Sequence, residues 1–227
     1  MNYYRHMNSA IIVFAGSGTR IHSEIPKQFI KVNDIELVVY TIRKFEENPH
    51  IDKIILVTSK DFVQLVESLV VKYEFKKIDK IVVGGKTRQE SVRLGLEAAE
   101  FNDEDNVLIH DGDRPLVSNT IINNCISLLD EFNAVCPILD KSEGYPEISN
   151  RGREIVLDGK TVSVQTPQGF KFGLISDAHQ NGKNRVFSDD IGLIEGQIEV
   201  KYFPGEKDNF KVTEDCDLEF INKLINL

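Results

Sequence analysis

The feature that most restricts the fold of this chain is a rhythm of short, wholly apolar runs separated by amphipathic stretches of helical length. Ala10-Ile11-Ile12-Val13 is one run, and residues 53–57, 80–83, 106–109 and 134–138 supply others. Between them, residues 61–73 place Phe62, Val63, Leu65, Val66, Leu69 and Val70 at helical spacing; residues 88–99 and 120–129 read as further helices. A strand without apolar–polar alternation is covered on both faces. Such strands alternating with helices predict an α/β fold with a mostly parallel sheet between helical layers. The 227 residues, 41% of them hydrophobic, suffice for one full core. Residues 8–227 therefore read as a single domain and residues 1–7 as an N-terminal extension.

The charge balance removes some classes of function. A net charge of −9 argues against a nucleic-acid surface, which would cluster Lys and Arg. No apolar run approaches bilayer length and no signal-peptide pattern precedes Ile11, so no membrane partner is expected. Cys125, Cys136 and Cys216 are odd in number and lack metal-ligand spacing, which suits a reduced, cytoplasmic protein with buried thiols.

In sheets of this kind ligands bind beyond the carboxyl ends of the strands, where this chain puts its glycine turns. The first apolar run leads into Phe14-Ala15-Gly16-Ser17-Gly18-Thr19-Arg20, with Pro26-Lys27-Gln28 close behind. Glycines let the backbone bend sharply and turn successive N–H groups toward an anion. Arg20 adds a bidentate fork and Lys27 a compact point charge. Glycine pairs alone occur in ordinary strand-to-helix turns, so the triphosphate-cradle reading depends on the company they keep.

That company follows in order along the chain. Gly84-Gly85-Lys86-Thr87-Arg88-Gln89-Glu90-Ser91 follows a strand and opens a helix, where a plain Thr or Ser cap is the simpler reading. His110-Asp111-Gly112-Asp113-Arg114-Pro115 puts carboxylates suited to Mg²⁺ at a strand end; a salt-bridged turn is the alternative. Thr166-Pro167-Gln168 and Ser188-Asp189-Asp190 also read as caps or turns. Asp208-Asn209-Phe210-Lys211-Val212-Thr213 precedes the last helix, with Thr213 a natural N-cap and Glu214 and Asp215 favouring the helix dipole. Residues 139–165 break the rhythm: they are polar and glycine-punctuated, with two strand-like pieces around Asp158-Gly159, a pair suited to a tight hairpin turn. The segment reads equally as an oligomerisation arm or as a surface loop.

Taken together from about Ala10 to Leu218, these motifs resemble the 2-C-methyl-D-erythritol 4-phosphate cytidylyltransferases and the related ribitol-5-phosphate cytidylyltransferases. The resemblance implies a homodimeric, Rossmann-like nucleotidyltransferase domain with a protruding β-hairpin arm. It implies transfer of CMP from CTP to a small polyol phosphate, with pyrophosphate released. An acceptor phosphate attacks the α-phosphorus, so positioning and charge neutralisation carry the rate. By this resemblance Arg20, Lys27 and Lys211 act on the phosphates, and the backbone of Ala15, Gly16, Ser17 and Gly18 wraps them. Gly85, Lys86 and Ser91 read the cytosine. Asp111 is the first candidate for Mg²⁺ and Asp208 the second, the metal being held either by these carboxylates or by phosphates alone. Arg114 orders its loop.

This chain departs from the pattern in ways that bear on the acceptor. Phe14 stands where the family has Ala, and Gly112-Asp113 replaces Ala-Ala or Ser-Val. Asp140-Lys141 replaces Asp-Thr, and an arginine usually found shortly before Thr-Pro-Gln has no counterpart. Lys141, Arg151, Arg153 and Lys160 are candidate replacement cations, with Lys141 at a position that contacts the acceptor phosphate. On these grounds a pentitol phosphate such as ribitol 5-phosphate, destined for cell-envelope polysaccharide, is favoured over the methylerythritol phosphate of isoprenoid biosynthesis. Two other classes compete. A dinucleotide-dependent oxidoreductase would need a third glycine where Ile21 stands, and a non-catalytic nucleotide-binding relative would not need the intact cations.

Overall fold

The computed structural model describes residues 6–16, 25–140, 152–183 and 185–225. Strand β1 (Asn8–Val13) is wholly buried, and its apolar residues alternate between two layers. Ala10 and Ile12 join one cluster while Ile11 and Val13 join the other. Each aliphatic side chain buried in this way contributes about 1.5–3 kcal/mol, which is why an unbroken apolar run goes to the centre of the sheet.

A two-stranded ribbon, β2 (Lys31–Val32) and β3 (Ile35–Glu36), follows, then helix α1 (Leu37–Glu46) and strand β4 (Lys53–Thr58). Helix α2 (Val63–Lys72) leads to β5 (Ile78–Val83), and α3 (Arg88–Ala98) leads to β6 (Asn106–Asp111). The order β5-β4-β1-β6 is parallel throughout. Helix α4 (Asn119–Leu128) then leads into β7 (Ala134–Asp140). Helices α1, α2 and α4 cover one face.

Beyond β6 the sheet becomes mixed. Strands β8 (Glu154–Leu157) and β9 (Lys160–Val164) form the expected hairpin, with Asp158 and Gly159 both at positive φ (50° and 76°), as a primed turn requires. Strand β9 pairs antiparallel with the carboxyl end of β7, and β10 (Gln168–Lys171) lies antiparallel between β6 and β7. Helices α5 (Phe172–Asn181) and α6 (Ile191–Ile194) join α3 on the second face. Strand β11 (Lys201–Pro204) pairs parallel with β7, and α7 (Asp215–Ile225) closes a third cluster around Val32, Leu37, Phe210 and Val212. Among the described residues no helix is long and apolar enough to cross a membrane.

Local detail adds to the sequence reading. Met7, the last residue of the N-terminal extension, is tied to the domain: its N–H donates to Asp105 Oδ1 (2.9 Å) and its carbonyl accepts from Asn106 N–H (2.8 Å). Ahead of α7, Asp217 Oδ2 accepts from the backbone N–H of Thr213 (2.7 Å) and of Glu214 (2.9 Å) and from the Thr213 hydroxyl (3.1 Å). Helix α1 has no counterpart in the sequence reading, because its opening Leu37-Val38-Val39 has the composition of a strand and becomes helical by burying Val38, Val39, Ile42 and Phe45.

Helix α3 sits close on the sheet at Gly95. A Cβ there would lie 2.9 Å from Val57 Cγ2 and 3.0 Å from Ile11 Cγ2. Gly→Ala in a helix ordinarily stabilises by up to about 1 kcal/mol, whereas overpacking a core costs about 1–3 kcal/mol. The second effect wins here, because α3 has to lift away from two strands. Gly95→Ala is expected to lower the urea midpoint; an unchanged or higher midpoint would show that α3 has room to shift.

Candidate active site

The carboxyl ends of β1, β5 and β6 open into a cavity of about 410 Å³. Its floor begins where β1 gives way to Phe14, Ala15 and Gly16. Gln28, buried behind this turn, donates through Nε2 to the carbonyls of Phe14 (2.8 Å) and Gly16 (2.9 Å). Those bonds hold the carbonyls inward. Ser17, Gly18 and Arg20 lie outside the described residues. Phe14 does not stand over the phosphates as a bulky lining alone: it is buried, with its ring edge-on to Phe29. A Cβ on Gly112 would meet Phe14 Cβ at 2.8 Å and ring Cδ1 at 3.1 Å, so the departures at 14 and 112 fit one another.

Lys27 reaches the cavity from the turn Lys27–Phe29 and donates to Asp113 Oδ2 and to the Val212 carbonyl. Lys211 Nζ lies 2.9 Å from Asp111 Oδ2 and 3.8 Å from Asp113 Oδ1. Arg88, at the first position of α3, joins two carboxylates: Nε donates to Asp111 Oδ1 (2.7 Å) and Nη1 to Asp190 Oδ2 (2.8 Å). Burial works against the charged form of Asp111, yet Arg88, Lys211 and Arg114 outweigh it and hold the carboxyl well below the usual range. Asp190 follows the same logic: burial raises it, and Arg88 with the His179 hydrogen bond lowers it further. The Arg88 guanidinium is correspondingly raised, since Asp111 and Asp190 overcome its desolvation.

The nucleobase side is built from the turn between β5 and α3. Ser91 Oγ donates to the Thr87 carbonyl (2.9 Å) and accepts from Gly85 N–H (3.1 Å). With its hydrogen committed, Ser91 can only accept from a base, as a 4-amino group would require. Thr87 Oγ1 caps Glu90 N–H (3.1 Å), and the Glu90 carboxylate accepts from Lys86 N–H (2.7 Å). Ser91 and the Thr87 cap are thus compatible with the expected base site.

The remaining motifs secure one another. The Arg114 carbonyl can only accept, so His110 Nε2 (3.2 Å away) carries the hydrogen and Nδ1 accepts from the Thr166 hydroxyl (3.1 Å). That hydroxyl oxygen in turn accepts from Asp111 N–H (3.1 Å). Gln168 Oε1 accepts from the N–H groups of Asp190 (3.1 Å) and Ile191 (3.0 Å), and Asn209 Nδ2 donates to the Thr166 carbonyl (2.8 Å). Arg114 Nη1 donates to the Asn209 carbonyl (2.8 Å), which agrees with a loop-ordering role.

Of the residues expected at the site, Ala15, Gly16, Lys27, Gly85, Lys86, Ser91, Asp111 and Lys211 line or touch this cavity. Asp208 is exposed on the loop after β11 and is not brought to it; Asn209, its neighbour, is the residue turned inward. Asp113 is the second carboxylate present. Lys141 and Arg151 lie outside the described residues, and Lys160 is paired with Asp140 on the hairpin (3.1 Å). Arg88 and Asp190 received no role from sequence, because a helix-opening arginine and a paired Asp-Asp have many ordinary uses.

Residues 8–226 match the family model described as IspD, 2-C-methyl-D-erythritol 4-phosphate cytidylyltransferase. The chain belongs to this family. It is similar to the enzyme of that name from Clostridioides difficile (39% identical, covering 97% of this chain and 94% of the relative). The Clostridium novyi enzyme is 38% identical, with 93% of each chain covered. The crystal structure of 4-diphosphocytidyl-2C-methyl-D-erythritol synthase from Anaerococcus prevotii superposes with a TM-score of 0.78 at 28% identity, covering 98% of this chain and 97% of that one. The protein is a CTP-dependent cytidylyltransferase with the α/β nucleotidyltransferase fold of this family. The oxidoreductase reading falls with this result.

His110, which joins the Arg114 carbonyl to the Thr166 hydroxyl, also makes stability depend on pH. Burial pushes its imidazole from the ordinary 6.5 down to about 4. The unfolded chain therefore binds a proton more readily between those values, so stability is lost as pH falls from 6.5 toward 4. At pH 5 the loss should be roughly 2 kcal/mol from this residue, at 1.36 kcal/mol per unit. Asp111 and Asp190, held low, give up their contributions only at lower pH. Urea unfolding at pH 7 and pH 5 should show the loss in the wild type and a smaller one in His110→Gln. Equal losses in both would remove His110 as the cause.

Proposed function

We propose that this protein transfers CMP from CTP to 2-C-methyl-D-erythritol 4-phosphate, a step of isoprenoid biosynthesis. The carrying observation is the convergence of Lys211 and Arg88 on Asp111, with Lys27 on the adjacent Asp113, beside the glycine turn, in a chain whose relatives bear that enzyme's name. The pentitol-phosphate preference drawn from the altered acceptor positions gives way to this reading, which the named relatives support better.

In the reaction an oxygen of the acceptor phosphate forms a bond to the α-phosphorus while the bond to the bridging oxygen of pyrophosphate breaks. Two anions approach, and cations have to gather on the phosphorus oxygens as charge shifts toward the leaving group. Lys27 and Lys211 stand at the cavity for that purpose, with Arg20 their expected companion. Asp111 and Asp113 keep both lysines in place before substrate arrives. A Mg²⁺ ion fits this donor set: Asp113 Oδ1 is buried without a hydrogen-bond partner, and hard cations of this size are commonly held by one or two carboxylates plus phosphates. When bound it would neutralise triphosphate charge. Among the described residues no group of three or more His, Cys, Asp or Glu is placed to hold a metal.

A homodimer is part of the proposal. Among the described residues strand β8 is the last of the sheet, and Val156 on it is 73% exposed. A second copy pairing there would cover both.

Three measurements test these statements. With CTP and Mg²⁺, pyrophosphate release should show the highest kcat/KM for methylerythritol phosphate; a higher value for ribitol 5-phosphate would reverse the assignment. CTP should be preferred strongly over UTP, because Ser91 accepts where uracil also accepts. Lys27→Ala should lower kcat on the order of 10²-fold with little change in the KM for CTP, by analogy with other electrostatic stabilisers. A near-normal kcat would take Lys27 out of the mechanism.

A further inference from the structure

A second cavity, of about 280 Å³, adjoins the first and shares Arg88, Asp111 and Lys211 with it. Its other walls include Arg114, Arg153 and Thr166. Arg88 Nη2 and Arg153 Nη2 are buried with no hydrogen-bond partner, whereas Arg114 Nε faces Asp111 Oδ2 at 3.6 Å. Native proteins leave few buried donors unsatisfied, so two such nitrogens on residues lining one cavity call for an explanation. The charge inventory agrees. Arg88, Arg114, Arg153 and Lys211 supply four cations to the lining, against two carboxylates from Asp111 and Asp189.

Arg153 is the member that neither the resemblance nor the reaction requires. It follows Gly152 at the root of the hairpin, where its carbonyl accepts from Val164 N–H (2.9 Å). Its Nε donates to Asp189 Oδ2 (2.7 Å) and its Nη1 to Glu195 Oε2 (2.7 Å). Asp189 Oδ1 is itself fixed by Gly192 N–H (2.8 Å). The guanidinium is thus fixed in place by two carboxylates while Nη2 is left without a partner. This chain has no arginine where the family places one shortly before Thr-Pro-Gln; Asp158 and Gly159 form the hairpin turn in that stretch.

We infer that Arg153 replaces that arginine from within the same chain and binds the phosphomonoester of the acceptor in the second cavity. The inference rests on the proposed cytidyl transfer and names the residue that sets acceptor recognition in it. The shared wall suits the chemistry. A phosphate held by Arg153 on one side has Lys211 and Arg88 between it and the CTP cavity, the direction in which it must attack.

The test compares wild type, Arg153→Ala and Arg153→Lys. Loss of one charge-assisted bond should raise the acceptor KM roughly 10- to 100-fold in Arg153→Ala, with kcat at saturation and the Kd for CTP, measured without acceptor, nearly unchanged. Arg153→Lys should recover part of the loss. Inorganic phosphate, measured by calorimetry on the CTP-loaded protein without Mg²⁺, should bind the wild type and more weakly Arg153→Ala. An acceptor KM within twofold of wild type in Arg153→Ala overturns the inference, as does an equal weakening of CTP. If the wild type prefers a different phosphomonoester, the proposed acceptor is wrong while Arg153 stands or falls on that compound's KM.

Discussion

Asp111 is a carboxylate removed from water at the carboxyl end of β6, and the rest of the site is arranged so that it can remain ionised there. Burying such a charge costs several kcal/mol unless cations and hydrogen bonds surround it. Arg88 arrives from the start of α3, Lys211 from the segment before α7 and Arg114 from the turn just beyond. Three parts of the chain that are distant in sequence are therefore tied to one point. Removing a partner of such a group typically costs about 3–5 kcal/mol, because an uncompensated charge remains. Under the proposed function the same arrangement would serve catalysis: cations gathered to satisfy Asp111 would already be in place when a triphosphate offers them a stronger acceptor.

The network does not stop at charged groups. His110 and Thr166 bond each other and the backbone on either side of Asp111. Gln168 carries the link on to Asp190, and Asn209 carries it to the segment that presents Lys211. Motifs that look like separate signatures in the sequence are thus mutual hydrogen-bond partners. A polar network of this kind specifies one arrangement because any member left unsatisfied is costly. Burial keeps His110 neutral at the centre of the site, and the neutral ring leaves Nδ1 able to accept from the Thr166 hydroxyl.

Much of the fold was legible from the sequence. Apolar runs such as residues 10–13 and 106–109 could only be strands buried on both faces, and Asp158-Gly159 could hardly join two strands except as a tight hairpin. The antiparallel insertion of β10 was not legible, since Gln168-Gly169-Phe170 carries no pattern that names its neighbours. Helix α1 was hidden by β-branched residues whose helical state depends on tertiary burial.

The sequence by itself determined that a glycine turn, lysines and a strand-end carboxylate would meet at one edge of a parallel sheet, because strand direction and chain order leave them no other edge. The family and its nucleotide chemistry came from the resemblance carried by the ordered motifs, not from strand direction or spacing. Only the tertiary structure decided that Asp113 and not Asp208 faces the cleft, and that Arg88 bridges Asp111 to Asp190. It also set Arg153 at a second cavity with an N–H left unsatisfied. Those outcomes depend on side chains approaching within about 3 Å across long sequence separations, a distance that hydrogen bonds enforce and that spacing along the chain does not encode.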